Sequence, residues 1–93
     1  MVEDIVSQLA EDGYALIPGA IQPDQVAWAR SELEAIVETT PRGRDDFEGH
    51  RTRRVYGLFG KTRSLDALAV HDVVLGVLDR VLGHYQLLSL IHI

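Results

Sequence analysis

The sequence predicts an α+β fold, because its hydrophobic periodicity changes repeatedly along 93 residues. Three segments repeat apolar residues every three or four positions, as the buried face of a helix does. Between and after them lie short apolar runs bounded by glycine or proline, as strands are. A chain of this length forms one small domain or part of a larger one.

The N-terminal segment predicts a short helix followed by an extended run. The helix ends near Gly13, because a glycine readily adopts the left-handed conformation of a C-terminal cap. Residues 14–17 are then extended and are stopped by Pro18 and Gly19. The apolar stripe of this helix is Ile5, Val6, Leu9 and Ala10.

A second helix is predicted from Pro23 to residue 40. Proline suits the first helical position, where its missing N–H would have no partner. The helix ends before Pro41, which disfavours helical backbone in the preceding residue. Its predicted inner stripe is Val26, Ala29, Arg30, Leu33, Ile36 and Val37.

The second half predicts a strand, a helical turn, a helix and a final extended segment. The strand covers residues 53–59, and Ser64 is expected to cap a helical turn at 65–69. A third helix is expected over 72–82, stopped by Gly83. Residues 84–93 are almost wholly apolar and are predicted to be extended.

Positive charge is concentrated in one segment between the second helix and the predicted strand. Seven of the nine Lys and Arg residues lie between Arg42 and Arg63, together with three acidic residues. Guanidinium groups bind carboxylates and phosphates in a bidentate fork, so the segment is a candidate anion-binding loop. The alternative is a solvated loop whose arginines pair with Asp45, Asp46 and Glu48.

Composition excludes several classes of protein. A net charge of −5 and few aromatic residues in the basic segment argue against general nucleic-acid binding. No run approaches the roughly 20 apolar residues of a membrane span, and the N-terminus lacks the basic region of a signal peptide. The chain has no Cys, which fits a reducing compartment. We therefore expect a cytoplasmic protein that acts on a small molecule, with no nucleic-acid or membrane partner.

Three blocks in order resemble the phytanoyl-CoA dioxygenase family. The first is EDGYALIPGAI from Glu11 to Ile21, followed by the helix that begins at Pro23. The second joins residues 43–49 to the run TRRVYGLFGK from Thr52 to Lys61. The third runs from His71 to Tyr85, where a helix leads into HYQL. Together the blocks cover residues 8–87.

The resemblance implies the N-terminal helices and first strands of a double-stranded β-helix, a jelly-roll or cupin-like fold that is incomplete in this chain. It also implies a parent enzyme that uses Fe(II) and 2-oxoglutarate to hydroxylate a small organic substrate. Such enzymes hold iron with two histidines and one carboxylate. The family supplies them as His-x-Asp and a distal His, followed by an Arg for 2-oxoglutarate.

None of these iron ligands is recognised in the chain, so no catalytic or metal-binding residue is predicted. No acidic residue stands two positions after any histidine. His71 and Asp72 are adjacent, and on a helix their side chains would diverge by about 100°. We therefore expect this chain alone to hold no iron and to be inactive. The four histidines are His50, His71, His84 and His92.

The resemblance places the co-substrate near the predicted strand, and the family often has a basic residue there. Side chains alternate along a strand, so Arg53 and Arg54 would face opposite sides. We predict that Arg54, with Tyr56 beside it, binds 2-oxoglutarate, and keep Arg53 as the alternative. A third possibility is that both arginines face solvent.

The last six residues are predicted to be foreign to the family domain. Leu88 to Ile93 spell LSLIHI, which a widely used transposase sequencing adaptor encodes in one reading frame. We therefore assign residues 1–87 to the N-terminal part of a dioxygenase-like domain and residues 88–93 to an adaptor-derived, non-native tail. The alternative is a genuine terminal strand.

Three functions remain open from the sequence. The favoured one is an N-terminal fragment of the Fe(II)/2-oxoglutarate-dependent dioxygenase described above. The second is a small acidic interaction module without enzymatic activity. The third is a metal-free binder of carboxylates or phosphates that uses the arginines of the basic segment.

Overall fold

The computed structural model describes residues 1–93 and is built mainly from helices. Helix α1 spans Val2–Asp12, α2 spans Pro23–Glu38, α3 spans Asp66–Ala69 and α4 spans Asp72–Val81. A single 3-10 turn occupies Leu58–Gly60. The longer helices lie where the periodicity predicts them, and none is long and apolar enough to cross a membrane.

Helices α1 and α4 form the helix pair at the centre of the fold. Ile5 of α1 and Val77 of α4 are buried. The helices approach so closely at Gly76 that a Cβ there would lie 3.2 Å from a methyl of Val2. Glu3 and Arg80 form an ion pair across the same interface. A glycine in α4 therefore stabilises the fold through close packing, despite its low helix propensity.

Each end of α1 and α2 is fixed by a local device that the sequence encodes. Gly13 takes a left-handed conformation with φ of 80°, and its N–H donates to the Leu9 carbonyl, as predicted. At the start of α2, the Gln22 N–H donates to Gln25 Oε1 over 3.0 Å, forming a capping box. At its end, Thr40 Oγ1 donates to the Ile36 carbonyl over 2.8 Å.

The prediction of a double-stranded β-helix is wrong for these residues. The structure contains no sheet, and its only β-pairing is an antiparallel bridge between Val55 and His92. The predicted strand over 53–59 ends early, because Gly57 turns left-handed with φ of 62° and starts the 3-10 turn. Residues 14–17 and 84–90 form no ladder either. Extended segments need neighbouring strands to become a stable sheet, and these residues supply only one such contact.

The predicted cap at Ser64 is also wrong. Leu65 occupies the N-cap position of α3, and no side chain caps that helix. The Ser64 and Thr62 hydroxyls instead lie 2.8 Å apart, and the Ser64 N–H donates to Thr62 Oγ1. Both residues are buried, so this pair satisfies polar groups inside the turn rather than the end of a helix.

The core is small, with six buried residues of 93. The apolar ones are Ile5, Val55, Leu58 and Val77, and the two polar ones are the Thr62–Ser64 pair. Many other large apolar side chains are exposed, including Trp28 and Leu82. Stability therefore depends on a few side chains, and each of them contributes a large share.

We predict that Leu58→Ala destabilises the chain far more than Leu82→Ala. Leu58 is 2% exposed and Leu82 is 58% exposed. Removing a buried leucine side chain costs about 2–5 kcal/mol, whereas an exposed substitution changes stability by about 0.5 kcal/mol or less. Urea unfolding of both variants measures the difference. Equal effects on the unfolding free energy would contradict this description of the core.

A second prediction concerns the contact between Tyr85 and the end of α4. The Tyr85 hydroxyl donates to Asp79 Oδ1 over 2.9 Å. This hydrogen bond, followed by desolvation and the negative charge of Asp79, raises the pKa of Tyr85 above its ordinary 10.0. Because the folded state disfavours tyrosinate, the contact stabilises at pH values below about 10 and is lost as pH rises through the raised pKa.

Asp79→Ala should therefore lower the pKa of Tyr85 towards the ordinary tyrosine value. The ultraviolet absorbance of tyrosinate reports the titration, and Tyr85→Phe identifies which of the three tyrosines contributes it. Asp72→Ala, at the opposite end of α4, is the matched control and should leave the titration unchanged. Identical titrations of Asp79→Ala and the unaltered chain would show that the hydrogen bond does not form.

Candidate functional site

Arg53 is held against the end of α2. Its Nη1 donates to the Val37 carbonyl over 3.4 Å, and the residue is half-buried. A cation is favourable there, because the C-terminal carbonyls of a helix carry partial negative charge. Its Nε and Nη2 make no other hydrogen bond within the chain. Part of the guanidinium therefore serves the fold, and the rest is available to a ligand.

Arg54 braces the basic loop instead. Its Nε donates to the Glu48 carbonyl over 3.2 Å, and its Nη2 donates to the Phe47 carbonyl over 3.3 Å. Its guanidinium carbon lies 5.7 Å from the centroid of the Phe47 ring, within range of a cation–π interaction. Arg53 and Arg54 therefore reach in different directions, as expected for neighbours in extended backbone.

The loop that Arg54 braces is closed by backbone hydrogen bonds. The Gly43 N–H donates to the Thr52 carbonyl over 2.8 Å, and the Gly49 N–H donates to the Asp45 carbonyl over 2.8 Å. Gly43 and Gly49 approach so closely that no Cβ fits at Gly43 without displacing backbone. Together with the contacts of Arg54, these bonds give the loop a defined shape.

Tyr56 is exposed, and its hydroxyl makes no hydrogen bond within the chain. No hydrogen bond connects it to Arg53 or Arg54. The three residues predicted to bind 2-oxoglutarate are thus close in sequence, but no hydrogen bond joins them. Their role stays a prediction.

The charges of the basic segment are only partly compensated. Arg44 pairs with Glu48 over 3.3 Å, and Arg63 pairs with Asp66 over 3.5 Å. The Asp45 carboxylate accepts from the Glu48 N–H, and the Asp46 carboxylate contacts His50 over 3.1 Å. The acidic residues of the loop therefore mostly serve other partners. Three exposed cations have no ion pair: Arg42, Arg51 and Lys61.

The histidines do not fit an iron site of two histidines and one carboxylate. The chain contains no group of three His, Cys, Asp or Glu residues that could hold a metal ion. His71 uses both ring nitrogens in the fold, because Nε2 lies 2.8 Å from the Ala20 carbonyl and Nδ1 accepts from the Val73 N–H. His50 contacts Asp46, and neither His84 nor His92 has a side-chain hydrogen bond.

The role of His71 as a helix cap was missed by sequence reasoning. His71 stands immediately before α4 and receives the hydrogen bond that an N-cap side chain accepts. The available signal was its place before Asp72 and an apolar periodic segment, which is a typical helix start. Histidine is not a common cap, so the composition of the site did not reveal it.

An open groove runs beside the apolar stripe of α2 and has a volume of about 630 Å³. Val26, Leu33 and Val37 line one side, and Leu65 and Leu68 line the other. No residue of α2 is buried, because nothing in these residues covers the stripe. Four charged or titratable side chains of α2 and its surroundings also line it, together with His71: Arg30, Glu34, Glu38 and His92.

Comparison with known proteins identifies the family. Residues 9–92 match the family described as Phytanoyl-CoA dioxygenase (PhyH). No curated protein and no solved structure matches the chain. The family match covers nearly the whole sequence, including the three blocks that resemble the family. The chain therefore belongs to the phytanoyl-CoA dioxygenase family.

Proposed function

We propose that this chain is the N-terminal part of an Fe(II)/2-oxoglutarate-dependent dioxygenase that hydroxylates a small organic substrate. The observation that carries the proposal is the family match over residues 9–92. Members of the family generally depend on Fe(II) and 2-oxoglutarate. The proposal assigns residues 1–87 to the dioxygenase-like domain and treats residues 88–93 as an adaptor-derived tail.

In this proposal the chain binds and positions a carboxylate but does not hold the metal. The histidines and carboxylates of these residues do not fit iron, so its ligands would lie elsewhere in the full protein. Arg54 and Tyr56 are proposed to bind 2-oxoglutarate, with Arg53 as the alternative. The free Tyr56 hydroxyl and the unused donors of both arginines support this assignment.

The local electrostatics also favour an anion at this place. Arg42, Arg51 and Lys61 add exposed positive charge without ion-pair partners, although the chain as a whole carries −5. A guanidinium offers parallel N–H donors to a carboxylate, which makes such contacts stronger than neutral hydrogen bonds. A dicarboxylate would therefore be attracted to this segment rather than to the acidic remainder of the chain.

We predict that this chain alone gives no 2-oxoglutarate turnover, whereas the reading frame extended from genomic sequence does. Anaerobic addition of Fe(II) and 2-oxoglutarate, followed by oxygen, is scored by succinate released per chain. The expected result is succinate from the extended protein only, because only it would supply a complete set of iron ligands. Stoichiometric succinate from the chain alone would contradict the proposal. A genomic stop codon after Ile93 would instead favour the interaction module or the metal-free binder.

A separate prediction tests the arginines in the extended protein. Loss of the arginine that binds 2-oxoglutarate should raise the KM for 2-oxoglutarate about ten- to a hundredfold, since a hydrogen bond to a charged group contributes about 1.5–3 kcal/mol. Steady-state kinetics of Arg54→Ala and Arg53→Ala measure this change against both substrates. Tyr56→Phe should show a smaller rise, because it removes only a hydroxyl.

Arg51→Ala is the matched control for these variants. Arg51 is exposed and makes no hydrogen bond or ion pair through its side chain, so its loss should leave the KM unchanged. Arg54 also braces the loop, and Arg54→Lys therefore distinguishes the loss of the bidentate fork from the loss of charge. If neither Arg53→Ala nor Arg54→Ala changes either substrate constant, the assignment of this site is wrong.

A further inference from the structure

His71 connects two parts of the chain that are far apart in sequence. It lies immediately before α4, and its ring is half-buried. Nε2 lies 2.8 Å from the carbonyl oxygen of Ala20, a residue 51 positions earlier. Nδ1 accepts a hydrogen bond from the Val73 N–H over 3.2 Å. One imidazole thus joins the loop before α2 to the first turn of α4.

These two contacts require the neutral ring with its proton on Nε2. A carbonyl oxygen only accepts, so Nε2 must donate, while Nδ1 must be unprotonated to accept from an amide. A protonated imidazolium carries a proton on both nitrogens and has no acceptor. Protonation would therefore keep the bond to Ala20 but turn the bond to Val73 into a repulsive contact between two donors.

The amide of Val73 has no other acceptor in the structure. It belongs to the first turn of α4, where N–H groups lack carbonyl partners within the helix. The same helix end carries partial positive charge, which disfavours a cation next to it. Both effects oppose protonation of His71 while α4 and its cap are in place.

The charged groups around His71 do not replace the lost acceptor. Asp72 follows it on α4, and Glu34, Glu38 and Arg30 of α2 line the same groove, together with His92. The carboxylates attract an imidazolium, whereas Arg30 and a protonated His92 repel it. None of these side chains accepts a hydrogen bond from Val73, so the cap fails when Nδ1 is protonated.

We propose that His71 is a proton-sensitive clasp between the Ala20 loop and α4, closed when the imidazole is neutral and open when it is protonated. Gly19, with φ of 71°, and the bond from the Ala20 N–H to the Ile17 carbonyl make that loop a tight turn. Opening frays the first turn of α4, loosens its hold on this turn and widens the groove that His71 lines. The inference is independent of iron and 2-oxoglutarate.

Amide hydrogen exchange of Val73 in the full chain tests the proposal directly. Exchange is measured at about pH 7.5 and about pH 5, on either side of the ordinary titration range of histidine, and corrected for the intrinsic rate. The protection of Val73 should fall about tenfold at the lower pH, the effect of losing one hydrogen bond. The amide of Gly13, whose acceptor is the Leu9 carbonyl, is an internal reference and should change little.

Variants separate the clasp from a general effect of acid. His71→Asn supplies a cap oxygen that does not titrate, so Val73 should be protected equally at both pH values. His71→Ala should leave it unprotected at both. His84→Asn, an exposed histidine without side-chain hydrogen bonds, should behave like the unaltered chain. Nitrogen chemical shifts of the His71 ring should also report the Nε2–H tautomer at neutral pH.

Two results would overturn the clasp. One is equal protection of Val73 at both pH values in the unaltered chain, which includes its being unprotected at neutral pH. The other is a neutral His71 ring with its proton on Nδ1. Either result would show that the imidazole does not hold the first turn of α4.

Discussion

The antiparallel bridge between Val55 and His92 is the contact on which the second half of the structure depends. The Val55 N–H donates to the His92 carbonyl over 2.8 Å, and the His92 N–H donates back over 3.1 Å. A further bond from the Leu58 N–H to the Leu90 carbonyl extends the pairing. Val55 and Leu58 are the two most completely buried side chains, so these bonds fix the only dense part of this half.

The bridge also decides how the arginines are arranged. Because Val55 is held inward, its neighbours are directed to different surroundings: Arg53 to the end of α2 and Arg54 to the loop at Glu48. An antiparallel bridge uses backbone groups that every residue except proline possesses. The pairing is therefore compatible with a native segment and with an adaptor-derived one at 88–93, and only the order of the basic segment follows from it.

The sequence predicted the helices well and the strands poorly, for one physical reason. The boundaries of α1, α2 and α4 follow from local signals such as Gly13, Pro23 and Gly83, which act within one or two turns. A strand becomes a sheet only through residues far away in sequence, and residues 53–59 find a single partner at His92. The loop contacts of Arg54 and the cap made by His71 likewise join residues that no local pattern brings together. Family membership was predictable, because it rests on the order of motifs rather than on the contacts between them.

The most direct test of this account is the hydrogen exchange of neighbouring amides in the bridge. The Val55 N–H is hydrogen-bonded to His92 and buried, whereas the N–H of the next residue, Tyr56, has no acceptor. Exchange measured by NMR at neutral pH should be slow at Val55 and His92 and close to the intrinsic rate at Tyr56. If Val55 exchanges as fast as Tyr56, the bridge does not form, and the arrangement of the basic segment described here is wrong.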